Sequence, residues 1–116
     1  MIQITPHMRL FIATSPADFR GGIDCIAGIV KYKLLKDPMD GALFVFHNRK
    51  RTSIKILIYD GSGYWLMQKR WSQGKIHWWN NIVDQCHPIT AEELLGLIWG
   101  GDARDFRSRE KWKKVA

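Results

Sequence analysis

The sequence predicts an α+β fold, because two kinds of hydrophobic period follow each other along the chain. Apolar residues recur at helical spacing between Ile23 and Leu34, and from Gly41 onward they alternate with a period of two. The connections between the alternating runs are short and rich in turn-forming residues, which is typical of an antiparallel meander. A length of 116 residues fits a single domain with a modest hydrophobic core.

The first predicted elements are a short strand over residues 9–14 and a helix that begins near Ile23. The apolar residues of the helix form one stripe. That stripe consists of Ile23, Ile26, Ala27, Val30 and Leu34. Asp37-Pro38 ends the helix, because the residue before a proline avoids the helical conformation.

Four alternating runs predict the strands of the meander. They are residues 42–47 (ALFVFH), 53–60 (SIKILIYD), 64–70 (YWLMQKR) and 75–79 (KIHWW). In the second run Ile54, Ile56 and Ile58 share one face, while Leu57 lies on the other. Because both faces carry apolar residues, we expect the sheet to be covered on both sides.

The last predicted element is a helix in the segment TAEELLGLIWG, residues 90–100. Thr90 and Glu93 have the spacing of a capping box, and Gly100-Gly101 marks the helix end. We therefore expect one α+β domain over residues 1–101. Residues 102–116 form a basic tail, which is either a flexible arm that becomes ordered on nucleic acid or a solubilising end.

Positive charge is concentrated in the middle of the chain. The net charge is +7 and the pI is about 9.7. Residues 47–79 hold seven Lys and Arg residues against one acidic residue, Asp60, whereas residues 80–101 hold acidic residues and no Lys or Arg. Such a distribution suits an anionic polymer better than a small acidic substrate.

Composition also limits the class of protein. Cys25 and Cys86 are too few for a disulfide framework, and we expect both to be reduced. No apolar run is long enough to span a membrane and the N-terminus lacks a signal-peptide layout, so we expect a cytoplasmic protein without a membrane partner. No carboxylate cluster and no metal-ligand spacing of Cys and His occurs, so catalytic residues, metals and cofactors are not expected.

A series of short motifs occurs in the chain, and their order and spacing carry a resemblance that covers roughly residues 5–100. They read DFRGGID (18–24), DP (37–38), GALFVF (41–46), KIL (55–57), YDGSG (59–63), KR (69–70) and GKIHW (74–78). This succession resembles the Orf2-like accessory protein, called TnpB, of the bacterial insertion sequence 66 transposon family. The departures from the family pattern leave the basic positions in place; they are Cys25-Ile26, Tyr59 and Trp71-Ser72. The resemblance implies an accessory factor of transposition, encoded beside a transposase and without assigned chemistry.

The candidate site is the basic part of the predicted meander. Cations at a turn tip and along neighbouring strands can neutralise backbone phosphates, which gives affinity for DNA without reading its sequence. The predicted DNA-binding residues are Arg49, Lys50, Arg51, Lys55, Lys69, Arg70 and Lys75. The alternative interpretation is a solvated edge whose charges discourage strand-to-strand aggregation.

Six tryptophans are a high number for this length, and four of them lie among the cations. Indole rings there either stack on unpaired bases or fill a core or a protein interface. We expect most of them to pack, since residues in alternating strands mostly do. Trp71 and Trp79, which are flanked by polar residues at strand ends, are expected to be the exposed ones.

The sequence therefore predicts a non-catalytic accessory protein of transposition that binds DNA, at transposon ends or on transposase-bound DNA, through a basic sheet surface. The alternative is a protein–protein adaptor that docks on the transposase or another element-encoded protein through its aromatic sheet face, without direct DNA contact. The two differ in their response to salt, because phosphate contacts are screened and apolar burial is not.

Overall fold

The computed structural model describes residues 7–79 and 82–100, which form a five-stranded sheet and two helices. In chain order the elements are β1 (Leu10–Ala13), α1 (Ile23–Tyr32), β2 (Leu43–His47), β3 (Ser53–Tyr59), β4 (Tyr64–Arg70), β5 (Cys86–Ile89) and α2 (Ala91–Gly100). The predicted α+β class is confirmed. The predicted basic tail, residues 102–116, lies outside the described residues.

The sheet is mixed and has the strand order β4-β3-β2-β1-β5. β2, β3 and β4 form an antiparallel meander, as predicted. β1 lies parallel to β2, and α1 supplies the crossover that a parallel pair needs. β5 pairs antiparallel with the outer side of β1.

Each face of the sheet is covered by its own helix, as the two-sided apolar pattern of β3 predicts. Leu57 of β3 lies in one core cluster with Ile26 and Val30 of α1. On the opposite face, Leu94 and Leu97 of α2 are completely buried. They share the second cluster with Ile54, Ile56 and Ile58 of β3. Because a fully buried aliphatic side chain contributes about 1.5–3 kcal/mol, these two clusters hold the three layers together.

The fourth predicted run, residues 75–79, is not a strand of this sheet and forms only an isolated bridge at His77. It crosses the α2 face instead, where Ile76 and Trp78 are buried in the core. A segment that lies flat on a sheet buries every second side chain, as an outer strand does. The apolar residues of this run therefore do alternate, but they do so because the segment packs on the α2 face of the sheet and not because it is a strand.

β5 is the strand that the sequence does not predict. It has four residues and contains Pro88, which argues against a strand on sequence grounds. The N–H of Thr14 donates to the carbonyl of Gln85 (3.1 Å), and extending this ladder through the β1–β5 register places the nitrogen of Pro88 on the outer side. The proline is tolerated there because the outer side needs no ladder hydrogen bond.

The capping box of α2 is confirmed. The N–H of Glu93 donates to the Thr90 hydroxyl (3.1 Å), and the N–H of Thr90 donates to the Glu93 carboxylate (3.0 Å). In the described part of the chain, neither helix has the length and apolarity needed to cross a membrane.

Candidate nucleic-acid interface

Two loops bring cations together at one end of the sheet. The turn between β2 and β3 lies beside the segment after β4, because the N–H of Trp71 donates to the Thr52 carbonyl (2.9 Å) and the N–H of Ile76 donates to the Arg51 carbonyl (2.8 Å). We call this region the cationic end. Its exposed cations are Arg49, Lys50, Arg51, Arg70 and Lys75.

Asn48 fixes the backbone of the turn that carries three of these cations. Its side-chain oxygen accepts hydrogen bonds from the N–H groups of Thr52 (2.8 Å) and Ser53 (3.1 Å). Arg51 has a φ of 58°, in the left-handed region that costs a non-glycine residue about 1 kcal/mol. A braced turn that holds an exposed arginine in this conformation favours a function for its side chain.

The charge of the cationic end has no carboxylate partner among the described residues. The ion pairs of the described part of the chain are Arg9–Asp40 and Arg20–Asp18, and neither includes a cation of this end. Asp60 follows the opposite end of β3, about 20 Å away by the length of the strand. Asp84 lies at the same end of the sheet as the cations, but on the side of β1 and β5. Five positive charges are therefore presented to solvent without compensation on the β2–β4 side.

Lys55, a predicted DNA-binding residue, does not lie on this surface. Only 5% of the residue is exposed, and its side chain lies on the α1 face. The ammonium donates to the carbonyls of Phe19 (2.8 Å) and Gly21 (3.0 Å), and it sits 5.0 Å from the centroid of the Phe19 ring. Lys55 is therefore not available to a phosphate.

The contacts of Lys55 join two of the sequence motifs. Lys55 belongs to KIL, while Phe19 and Gly21 belong to DFRGGID, the loop that leads into α1. Gly21 has no room for a side chain, because a Cβ built there would lie 2.5 Å from the Cβ of Cys25. These motif residues thus clamp a loop onto the sheet.

Lys69 is also engaged by the protein. On the α2 face its ammonium donates to the carbonyl of Ile98, and it lies 4.9 Å from the ring centroid of Trp71 and 5.6 Å from that of Trp99. Arg70, its neighbour on β4, pairs with Ser53 in the strand register and faces the other side. Of the seven predicted residues, the structure gathers five at the cationic end and separates Lys55 and Lys69 from them.

His47, which the sequence places at the start of the basic turn, is a core residue. It is 2% exposed, its Nδ1 is buried without a hydrogen-bond partner, and its ring lies 4.2 Å from that of Trp78. Burial, with a smaller effect of the Arg51 charge, lowers the pKa of His47 from 6.5 to about 4. The imidazole is therefore neutral at pH 7.

We expect His47 to make the fold sensitive to acid. The unfolded chain takes up this proton near pH 6.5 and the folded chain only near pH 4, so stability falls as the pH drops through that window. The loss from this residue is about 3 kcal/mol. His47→Phe keeps a ring against Trp78 and cannot titrate. Urea denaturation of both proteins at pH 7 and pH 4.5 should show a smaller acid loss in the variant, and an equal loss would contradict this assignment.

The prediction that Trp71 and Trp79 are the exposed tryptophans is wrong. Trp71 and Trp79 are partly buried and pack against the α2-side core. The more exposed indoles are Trp65 (48% exposed) and Trp99 (60% exposed). Polar neighbours in sequence do not expose a ring when the whole segment lies on the sheet, as residues 75–79 do.

Asp60 is a turn residue, as its sequence context indicates. One carboxylate oxygen accepts from the N–H groups of Ser62 (2.8 Å) and Gly63 (3.0 Å), and the other accepts from the indole of Trp65 (2.8 Å). These hydrogen bonds lower the pKa of Asp60 far below its usual range. Within residues 7–79 and 82–100, no three His, Cys, Asp or Glu side chains are grouped for a metal ion.

Comparison with known proteins identifies the family of the chain. It belongs to the family of IS66 Orf2-like proteins, whose model matches residues 8–108, and the resemblance drawn from the motifs is confirmed. The uncharacterized protein y4jC of Sinorhizobium fredii is 36% identical over 102 residues, which cover 88% of this chain and 86% of that protein. The uncharacterized protein y4hO of the same organism is 36% identical over 113 residues, 97% of this chain and 96% of its own. No solved structure matches the chain.

Membership of this family makes the protein an accessory component of an insertion sequence of the IS66 type. The family gives the biological context, transposition, without a site. What the protein contacts in that context has to be inferred from its own surface.

Proposed function

We propose that this protein is a non-catalytic accessory factor of transposition that binds the DNA backbone through the cationic end. The observation that carries the proposal is the grouping of five exposed and uncompensated cations on the β2–β3 turn, at the end of β4 and on the segment that follows it. Guanidinium and ammonium groups in such a group release condensed counterions when they reach phosphates. The DNA would be transposon ends or DNA already held by the transposase.

The proposal concerns positioning on DNA and not sequence reading. The five cations lie on turns or at the last residue of β4, and none of them lies on a helix that would enter a groove. Contacts to phosphates alone fix a protein on a duplex without distinguishing bases. We therefore expect similar affinity for duplexes of element-end and random sequence.

The salt dependence of binding tests this proposal. Five phosphate contacts predict a slope of about −4.5 for log K against log salt, so affinity should fall about 500-fold between 50 and 200 mM salt. Fluorescence anisotropy with a labelled duplex, measured over that range, gives the slope. A slope near zero, or no binding at 50 mM salt, would reject the proposal.

A protein–protein adaptor that docks on the transposase is the second candidate. The half-exposed indole of Trp65 and the exposed indole of Trp99 favour it, since exposed aromatic rings are enriched at protein interfaces. An adaptor should co-purify with the transposase in moderate salt, because apolar burial is barely screened. The same complex should then persist at salt concentrations that release DNA.

A further inference from the structure

The two edges of the sheet differ in a way that concerns assembly. The β5 edge is short and carries Pro88 with its nitrogen outward, so it cannot accept another strand along its length. The β4 edge is seven residues long and has no proline. Since β4 is the outermost strand in the sheet order, one side of its backbone has no strand partner among the described residues.

The hydrogen-bond phase of β4 determines which of its groups face outward. The N–H of Trp71 donates to the Thr52 carbonyl, and the N–H of Asp60 donates to the Gly63 carbonyl, so both of these positions are hydrogen-bonded pairs of the β3–β4 ladder. Such pairs alternate in an antiparallel ladder. The backbone groups directed away from β3 therefore belong to Tyr64, Leu66, Gln68 and Arg70.

The usual protection of an edge by charge is weak here. Lys69 does not guard the β4 edge, because its ammonium is held by the Ile98 carbonyl and the rings of the α2 face. Beside it Trp65 and Met67 remain 48% and 37% exposed on the same face. A long edge flanked by exposed apolar side chains is a surface for strand addition.

We infer that β4 pairs antiparallel with β4 of a second copy of this chain, with Met67 on the two-fold axis. A two-fold axis normal to the sheet keeps each face on its own side, so paired residues must come from the same face of the two strands. With Met67 at the axis, Leu66 faces Gln68 of the second copy and all seven residues are paired. The outward groups of residues 64, 66, 68 and 70 then bond one another across the axis.

The charge pattern supports this register. Lys69 falls opposite Trp65 of the second copy and Arg70 opposite Tyr64 of the second copy, so neither cation of β4 is placed opposite another cation. The two cationic ends lie at opposite ends of the joined strands, which keeps their charges apart. A single strand edge buries a small area, so we expect a dimer with a dissociation constant on the order of micromolar.

The dimer has a consequence for DNA that rests on the proposed function. In the β3–β4 register Arg51 stands level with residue 72, five residues from the axis. Two copies therefore place their cationic ends about 34 Å apart along the strands. That separation is close to one turn of B-DNA, about 34–36 Å. The two cationic ends of a dimer would therefore contact phosphates one helical turn apart on the same side of a duplex.

Oligomeric state tests the inference without DNA. Sedimentation velocity of the full chain over a range of concentrations should show a monomer–dimer equilibrium. Gln68→Pro removes an outward N–H without removing a β3–β4 hydrogen bond and should shift the dissociation constant at least tenfold, whereas Gln68→Ala keeps the N–H and should not. Circular dichroism checks that both variants fold. A wild type that stays monomeric at all concentrations, or a dimer unaffected by Gln68→Pro, would overturn the inference.

Cysteine cross-linking tests the register in a protein with both native cysteines replaced by serine. Opposite residues across antiparallel strands have Cβ atoms about 4.5–5.5 Å apart, close enough to form a disulfide after a small shift. Met67→Cys should therefore form a disulfide-linked dimer under mild oxidation, several times faster than Leu66→Cys or Gln68→Cys. Trp65→Cys and Lys69→Cys should cross-link only when mixed. Faster linkage through position 66 or 68 would overturn the pairing. Since no DNA is present, the result is independent of whether the cationic end binds phosphates.

Discussion

Reversing the charge of the turn with Arg49→Glu/Lys50→Glu/Arg51→Glu should reduce DNA affinity about 10²–10³-fold at 0.1 M salt. Each phosphate contact contributes about 0.9 to the slope of log K against log salt, so at 0.1 M salt the loss of three contacts removes about 2.7 log units. The slope itself should fall from about −4.5 to about −1.8, because only Arg70 and Lys75 remain. Anisotropy titrations at several salt concentrations give both quantities.

A matched control separates local contact from net charge. Lys31→Glu/Lys33→Glu/Lys36→Glu makes the same change in net charge at exposed positions in and just after the last turn of α1. Lys31 and Lys36 line one cavity beside α1 with Tyr64, and Lys33 lines another with Asp18, so none of the three lies on the basic turn or on the segment after β4. Only long-range attraction should be lost there, so we expect an unchanged slope and less than about tenfold weaker binding. Equal losses in the two variants would show that binding follows total charge and has no site.

The sequence predicts the position of a residue well where that position depends on its neighbours in the chain. The basic turn, the meander of β2 to β4 and the capping box of α2 each follow from local rules about charge, alternation and caps. Arg70 and Lys75 lie beside the β2–β3 turn because, in an antiparallel meander, the end of the third strand is at the same end of the sheet as the turn between the first two. The grouping of five cations is thus a consequence of topology that the sequence already contains.

Where prediction from sequence is wrong, long-range packing decides. Lys55 has the residue type and location of a DNA contact, yet strand alternation points it to the α1 face, where a loop 36 residues earlier supplies its acceptors. His47 belongs to a charged sequence and is buried under Trp78. β5 exists because β1 has a free side, and its own four residues do not indicate a strand. Each of these contacts joins residues that are far apart in the chain, so the local sequence does not show which partner each residue meets.

Lys55→Met should lower the free energy of unfolding by about 2 kcal/mol, or roughly 10 °C in Tm for a domain of this size. Methionine retains most of the aliphatic stem but leaves the carbonyls of Phe19 and Gly21 without their donor. Partly buried carbonyls that lose their donor cost up to about 1–3 kcal/mol, and the relief of no longer burying a charge offsets part of this. Thermal denaturation measures the net effect. Amide exchange should become faster at the start of α1, since Lys55 holds the loop that precedes that helix.

Lys75→Met is the paired experiment, and the two lysines should give opposite results. Lys75 is exposed and its side chain has no hydrogen bond, ion pair or ring contact within residues 7–79 and 82–100, so its loss should change the free energy of unfolding by less than about 0.5 kcal/mol. It should reduce the magnitude of the salt slope for DNA by about 0.9, whereas Lys55→Met, measured well below its Tm, should leave that slope unchanged. A contrary result would be a smaller salt slope for Lys55→Met with an unchanged free energy of unfolding. It would mean that the ammonium of Lys55 contacts DNA and does not hold the Phe19–Gly21 loop. The two lysines belong to one basic segment, yet one should affect stability and the other DNA binding, because Lys55 is buried and Lys75 is exposed.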